Sequence, residues 1–271
     1  MTHINKSLAE ARQLQREGRL REAELAVRRA LQQQPRNPVA LDLLGMLAQQ
    51  AGAVDDAAGL FEAAIAESPA EPTFYWHLAL VRKLQRRFDD ARALIERALQ
   101  SLGAPQFAAS PQAAKLNALL KTELGDFAAM DGERERAQAL FREALSNDPA
   151  RGSTWYKLAI ARRFDSVDDD DIVAMKAASE RVEMSVAERA AVQFALGKAL
   201  DDCGEYEKAF AHFREANELR RDRARRDWTA LSAYVGQCES LLTKEFFATP
   251  PCSGSASERP VFVVGMPRSG T

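Results

Sequence analysis

Residues 38–69, PVALDLLGMLAQQAGAVDDAAGLFEAAIAESP, decide the fold, because they have the pattern of two short helices joined by a turn. Leu41, Leu44 and Leu47 follow the spacing of one helix face, and Gly52 is expected to end that helix. Two aspartates that can cap a second helix come next, and small or apolar residues follow at helical spacing up to a proline: Asp55, Asp56, Ala57, Phe61, Ala64, Ile65 and Pro69. The stretch therefore predicts a helical hairpin.

The hairpin pattern recurs on both sides of this stretch. The turn glycine, the two alanines and the proline have equivalents in the preceding unit, and the alanines also have equivalents in the following one: Gly18, Ala23, Ala30 and Pro35, then Ala91 and Ala98. Equivalent residues are thirty-four positions apart. A fixed period of this length indicates stacked helix pairs, each of which buries the apolar face of its neighbour.

The period, the Ala-x-x-x-Phe motif that starts at Ala57 and the closing Pro69 resemble the tetratricopeptide repeat. The resemblance covers roughly the first 220 residues. It implies an all-α, right-handed α-solenoid of about six helix pairs, which binds other molecules and carries out no chemistry itself. We expect the array over residues 1–221, a packing helix over 222–248 and a linker over 249–259.

Three departures from the repeat carry structural expectations. Arg86 stands where the turn glycine is expected, which predicts a less regular turn. About twelve extra residues within 104–117 include two prolines and a cap at Ser110, and they predict a longer loop and an extended first helix. Asp168–Asp171 precedes a helix in the fifth unit. Carboxylates are stabilised at a helix N-terminus, and the residue order of a calcium loop is absent, so we predict no metal site there.

The overall composition argues against several classes of function. The formal charge is −2, from 37 basic and 39 acidic residues, which gives no electrostatic case for nucleic-acid binding. The three cysteines lack metal-ligand spacing, and the three histidines lie far apart. The sequence has neither a signal-peptide core at its start nor an apolar run long enough to span a bilayer. We predict a cytoplasmic protein that binds neither nucleic acid nor membrane.

Residues 260–271, PVFVVGMPRSGT, break from the repeat pattern. Val261–Val264 has the pattern of a β-strand that is buried on both faces. The loop from Gly265 to Gly270 follows it directly, and the backbone N–H groups of such a glycine-bounded loop can surround a phosphate. A nucleoside-triphosphate loop would place a lysine after its last glycine, whereas the cation here is the earlier Arg268.

The order Pro-Arg-Ser-Gly-Thr after a hydrophobic strand resembles the 5′-phosphosulfate loop of sulfotransferases, above all the bacterial tetratricopeptide-containing branch and the tyrosylprotein sulfotransferases. This resemblance implies that an α/β domain begins at residue 260 and transfers a sulfuryl group from 3′-phosphoadenosine 5′-phosphosulfate (PAPS) to a hydroxyl acceptor, without a metal. It implies Arg268 as the catalytic cation. The donor-binding residues would be Gly265, Pro267, Arg268, Ser269, Gly270 and Thr271. We expect the chain to be an inactive N-terminal piece of such an enzyme.

Two other interpretations of this segment stay open. The loop can belong to a different phosphate-binding protein, or the match can be a coincidence. In the second case the chain is a non-catalytic tetratricopeptide scaffold for protein–protein interaction.

The resemblance to the repeat family also implies a ligand groove on the concave wall, lined by the first helices. A peptide, protein or glycan acceptor is expected to bind there. The residues that map to this wall are Asp42, Met46, Trp76, Lys83, Thr122, Tyr156, Arg163, Phe194 and Lys198. The alternative is that Trp76, Tyr156 and Phe194 only pack against adjacent helices.

Overall fold

The computed structural model describes residues 3–107, 110–181, 184–221 and 228–248. These ranges are helical, with no strand, and the chain divides into two compact units, residues 1–222 and 223–271. The first unit contains twelve α-helices: α1 His3–Arg16, α2 Leu20–Gln33, α3 Pro38–Gln50, α4 Val54–Glu67, α5 Pro72–Leu84, α6 Phe88–Leu102, α7 Pro111–Met130, α8 Arg134–Asn147, α9 Gly152–Ala161, α10 Asp170–Ser179, α11 Val186–Asp202 and α12 Tyr206–Arg221. The second unit contains α13 Trp228–Leu241 and α14 Lys244–Ala248.

The helices of the first unit form a stack of hairpins, which confirms the tetratricopeptide-like solenoid. Each odd-numbered helix from α1 to α7 packs against the helix that follows it, as does α11 against α12. Each hairpin also contacts the next one, through α2 with α3, α4 with α5, α6 with α7 and α8 with α9. Several first helices begin with a side-chain cap. The Asn37 Oδ1 accepts from the Ala40 N–H, and the Ser185 Oγ accepts from the Glu188 N–H.

In three of the hairpins, a phenylalanine of the second helix packs against a glycine of the first helix. A Cβ on Gly125 would lie 2.4 Å from the Phe141 ring, so only glycine fits there. Two other hairpins repeat the arrangement, with Gly45 against Phe61 and Gly197 against Phe213. The repeated small residues of the sequence are therefore the points of closest helix approach.

The insertion before the fourth hairpin has the predicted form. A short 3₁₀ helix, Pro105–Phe107, precedes α7, which at 20 residues is the longest of the described helices. The Ser110 Oγ accepts a hydrogen bond of 3.3 Å from the Ala113 N–H, and Pro111 occupies the first helical position. The extra residues thus extend a first helix without disturbing the hairpin that follows.

The turn at Arg86 is more regular than its sequence predicts. Arg86 has φ of 60°, in the left-handed region that the turn glycines of four other hairpins occupy. The Arg87 N–H donates to the Arg82 carbonyl at 2.8 Å, the same turn-closing bond that the other hairpins make. The prediction of a less regular turn was wrong, because the neighbouring hairpins impose the turn geometry on a residue that disfavours it.

We expect Arg86→Gly to stabilise the protein by about 0.5–1 kcal/mol, since it removes the left-handed strain but adds chain entropy to the unfolded state. Chemical denaturation of both proteins measures the difference. Gly52→Ala is the matched control, because Gly52 has φ of 81° with no neighbour near its Cβ position, and this variant should be less stable. A loss of stability in Arg86→Gly would show that the contact of the Arg86 guanidinium with the Phe88 ring, 5.9 Å away, outweighs the strain.

The fifth hairpin departs from the repeat, as the sequence predicts. Its first helix, α9, ends at Ala161, and residues 162–169 run without helix before α10. Ile172 and Met175 of α10 are fully buried in the cluster that also contains residues of α8, α9 and α11. The first turn of α9 lies so close to α11 that a Cβ on Gly152 would meet the Glu188 backbone.

Two further sequence expectations need correction, and two others concern residues outside the described ranges. Asp55 and Asp56 do not cap α4, because the cap position is Ala53; they lie in the first turn, where the helix dipole favours their charge. The expected packing helix over residues 222–248 is two helices, α13 and α14. The expected linker and the expected strand Val261–Val264 lie outside the described residues.

Candidate peptide-binding surface

Side chains of α9 and α11 form a surface patch, which we call the aromatic step and define as the exposed Tyr156 and Ile160 together with the half-buried Phe194. Tyr156 is 40% exposed and Ile160 is 58% exposed, one helical turn further along α9. The Phe194 ring centre lies 6.3 Å from that of Tyr156, edge-on, and 6.4 Å from that of Phe213. The Arg220 guanidinium lies 5.9 Å from the Phe194 ring centre. Contacts with neighbouring side chains thus hold these aromatic and aliphatic groups in place at the surface.

Ion pairs connect neighbouring first helices along the same side of the array. Lys83 of α5 pairs with Glu123 of α7, and Lys157 of α9 pairs with Asp126 at 2.5 Å. Burial raises the pKa of the Asp126 carboxyl, although the bond from Lys157 opposes this shift. Because the lysines already have carboxylate partners, this part of the surface offers little free charge.

Three residues predicted for the groove wall are buried instead. Asp42, Trp76 and Thr122 are 6%, 9% and 3% exposed. The Asp42 carboxylate bonds the His77 imidazole at 2.6 Å, and the Thr122 hydroxyl bonds the Thr154 hydroxyl at 2.8 Å. This corrects the prediction for these three positions. Adjacent first helices approach closely enough to cover them, so Trp76 follows the packing alternative.

The other predicted groove residues keep some access to solvent. Met46 is half-buried against two clusters that the first three hairpins form. Lys198 is half-buried; its ammonium bonds the Asp202 carboxylate at 2.5 Å and lies 5.4 Å from the Phe164 ring centre. Arg163, just beyond the end of α9, is exposed. The structure therefore brings Tyr156 and Phe194 together and leaves Asp42 and Met46 at a distant hairpin.

Two of the four aspartates around the start of α10, Asp169 and Asp171, pair with arginines. The Asp169 carboxylate caps α10 by accepting from the Asp171 N–H at 3.0 Å, as a helix-terminus role predicts. Asp171 accepts from Arg142 at 2.9 Å and from Arg162 at 2.6 Å, and Arg162 also reaches Asp169. Among the described residues, no group of three or more potential metal ligands comes together.

The predicted donor loop is outside the part of the chain that the structure describes. Its residues are Gly265, Pro267, Arg268, Ser269, Gly270 and Thr271. Their assignment to PAPS, and the role of Arg268, remain predictions from sequence.

Sequence reasoning missed Ile160, Lys157 and Arg220. Ile160 has a sequence signal, because it lies one turn after Tyr156 on a helix whose packing face is Trp155, Leu158 and Ala159. The contact of Lys157 comes from the preceding hairpin and that of Arg220 from the other helix of its own hairpin, and no local pattern predicts either.

Comparison with known families agrees with the fold. Family profiles described as tetratricopeptide repeat match residues 8–72 and 43–114, and a further one matches 190–223. Together these matches cover just over half of the chain. The chain belongs to the tetratricopeptide-repeat family.

Two curated relatives match about half of the chain. Cellulose synthase operon protein C of Pseudomonas fluorescens (strain SBW25) is 31% identical over 157 residues, which are 58% of this chain and 12% of that protein. An uncharacterized protein of Aquifex aeolicus (strain VF5) is 28% identical over 144 residues, 52% of this chain and 18% of that protein. The matched part is thus a small share of either relative.

Several solved structures share the fold at low identity. Pseudomonas aeruginosa PilF superposes with a TM-score of 0.60 at 14% identity, over 85% of this chain and 97% of that one. PilW, a type IV pilus biogenesis factor, gives 0.58 at 17% identity, over 85% and 100%. BtubC from P. vanneervenii gives 0.56 at 20% identity, over 82% and 93%. At these identities the likeness supports the fold alone.

None of the described helices combines the length and the apolar character that a bilayer span requires.

Proposed function

We propose that the repeat array binds an extended segment of a partner protein along the surface formed by its first helices. Repeat arrays of this kind have no chemistry of their own and act through the side chains that they display. A peptide or protein partner suits a surface of mixed aromatic, aliphatic and charged groups.

The aromatic step is the observation that carries this proposal. Elsewhere on the first helices, the large apolar side chains are mostly buried in hairpin junctions, as Tyr75 and Trp76 are. Tyr156 and Ile160 are exposed, whereas their neighbours on the same helix, such as Leu158, are buried. Exposed aromatic and aliphatic groups on a rigid support are typical of binding hot spots, since they bury much area with little loss of side-chain freedom.

Selection of displayed random peptides on the purified chain tests the proposal. Peptides that are retained should be measured again, as labelled synthetic peptides, by fluorescence anisotropy. Failure to enrich any peptide that binds the folded chain would contradict the proposed function.

We expect Tyr156→Ala combined with Phe194→Ala to weaken a selected peptide about tenfold or more, since truncating hot-spot aromatics commonly costs about 2 kcal/mol. The matched control removes one tyrosine and one phenylalanine ring from a second helix, Tyr206 and Phe210, which are 68% and 67% exposed. Affinity should persist in the control. If both double variants lowered the affinity for the peptide equally, the binding surface would not be the aromatic step.

A second candidate function concerns the segment after residue 259. The Val261–Val264 pattern followed by Pro-Arg-Ser-Gly-Thr favours the donor loop of a PAPS-dependent sulfotransferase. In that case the array would present a protein, peptide or glycan acceptor, and Arg268 would stabilise the charge that develops on the transferred group. The coding sequence beyond Thr271 tests this candidate. A continuous α/β pattern after it supports a sulfotransferase, and an immediate stop codon contradicts one.

A further inference from the structure

A cleft of about 420 Å³ lies at the junction between the fourth and fifth hairpins. Its walls are the first turn of α8, the end of α7 and the end of α9. The lining residues are Ala129, Arg134, Ala137, Ile160, Ala161, Arg162 and Arg163. Three of these seven residues are arginines, and none is acidic.

The residues that line this cleft differ in character from their equivalents at the other junctions. At each of the first three junctions, the first residue of a second helix and a residue near the end of the next first helix are both apolar. They share an apolar cluster in the pairs Leu20 with Leu47, Val54 with Val81, and Phe88 with Phe127. In the last pair the two rings lie edge-on at 6.4 Å. The equivalent residues at the fourth junction are Arg134 and Ala161.

The irregular fifth hairpin borders this cleft. A regular second helix would start soon after α9 ends, whereas residues 162–169 run without helix before α10. The Gln138 side-chain amide donates to the Ala161 carbonyl at 3.2 Å and fixes the end of α9 against α8. Five of the seven lining residues thus belong to helices, and Arg162 and Arg163 follow directly after the end of α9.

Two of the three guanidinium groups are free to bind a ligand. Arg162 is engaged with Asp169 and Asp171 and stacks on the Phe164 ring at 4.4 Å. The side chains of Arg134 and Arg163 are exposed, and within the described residues neither has a hydrogen-bond or ion-pair partner. Guanidinium groups bind carboxylates through paired, charge-assisted hydrogen bonds.

We propose that this cleft binds a glutamate- or aspartate-bearing segment of the partner protein, with its carboxylate at Arg134 and Arg163. The exposed Ile160 lines the cleft and also belongs to the aromatic step, so one peptide can place an acidic side chain in the cleft and an apolar one on the step. The inference rests on the proposed function, since it names the chemistry of the segment that the first-helix surface takes. An arginine-lined cleft beside an apolar surface favours an acidic and apolar peptide over a basic one.

A labelled peptide rich in glutamate and leucine, and a matched peptide with glutamine in place of glutamate, test this inference by fluorescence anisotropy on the whole chain. The glutamate peptide should bind, and the glutamine peptide should bind about tenfold more weakly, as expected for the loss of a hydrogen bond to a charged group. Arg134→Gln combined with Arg163→Gln should weaken the glutamate peptide by a similar factor and abolish the preference for glutamate.

The control is Arg136→Gln, in the same turn of α8, because Arg136 already pairs with Glu133 and does not line the cleft. It should leave the affinity unchanged. Arg134→Leu restores the apolar residue of the other junctions, so it should raise the unfolding midpoint while it weakens the glutamate peptide.

The two proposals fail separately. Equal binding of the two peptides, or an Arg134→Gln/Arg163→Gln variant that binds as the wild type does, would overturn the acidic-ligand inference. If, in that case, the Tyr156→Ala/Phe194→Ala variant still bound the glutamate peptide more weakly than the wild type does, the proposed binding surface would stand without the cleft. If only the arginine variants weakened binding, the cleft would stand and the aromatic step would fall.

Discussion

Phe141→Ala is expected to destabilise the protein by about 3–5 kcal/mol, the usual cost of removing a buried aromatic ring from a core. The Phe141 side chain is 1% exposed and lies against Gly125, in the cluster that joins the fourth, fifth and sixth hairpins. A cavity at that place would weaken several junctions at once, because each hairpin of a repeat array is stabilised mainly by its neighbours. Urea denaturation followed by circular dichroism measures the loss.

Phe210→Ala is the matched control, because it removes the same side chain at a position that is 67% exposed. It should alter the free energy of unfolding by less than about 1 kcal/mol. Similar small losses in both variants would show that the described hairpin packing is wrong. Gly125→Ala adds an independent check, because its Cβ would clash with the Phe141 ring, whereas the exposed Gly59 of α4 has no neighbour and should tolerate alanine.

Arg268→Ala should lower sulfuryl transfer by about 10²–10³-fold if the gene product contains a complete sulfotransferase domain. A preorganised cation contributes most where negative charge develops, and Arg268 is the cation within the proposed donor loop. Arg268→Lys should recover part of the rate, because the point charge stays while the planar fork of donors is lost. Transfer of labelled sulfate from PAPS to a hydroxyl acceptor is the measurement.

The repeat domain supplies the control for this prediction. Its unfolding transition should be the same in the wild type and in Arg268→Ala, since the substitution lies outside the helical array. Normal turnover in Arg268→Ala would show that the Pro-Arg-Ser-Gly-Thr match has no catalytic meaning. The chain would then keep only its proposed binding function.

Much of the fold follows from the sequence because its signals are local. The thirty-four-residue period of the turn glycines predicts where the first helices end. The cap at Ser110 predicts the start of the extended α7. Arg86 is the exception, since its left-handed backbone is imposed by the hairpins on either side.

The candidate surface is harder to predict, because burial depends on the neighbouring hairpin. Asp42 and Thr122 occupy positions that face a groove in the repeat family, but each is covered by a partner on the next first helix, His77 or Thr154. The cleft at Arg134 becomes visible only when each hairpin junction is compared with the others. Local periodicity predicts which residues share a helix face, whereas contacts between hairpins determine which of those residues are exposed to solvent.

Binding at the first-helix surface can be located directly with a spin-labelled peptide. A peptide recovered by selection, with a nitroxide at one end, would be added to the chain carrying isotope-labelled phenylalanine and tyrosine rings. We predict that the ring signals of Tyr156 and Phe194 broaden strongly and that those of Tyr206 and Phe210 do not. Broadening confined to Tyr206 and Phe210, or no broadening of any ring at saturation, would contradict the proposed binding surface.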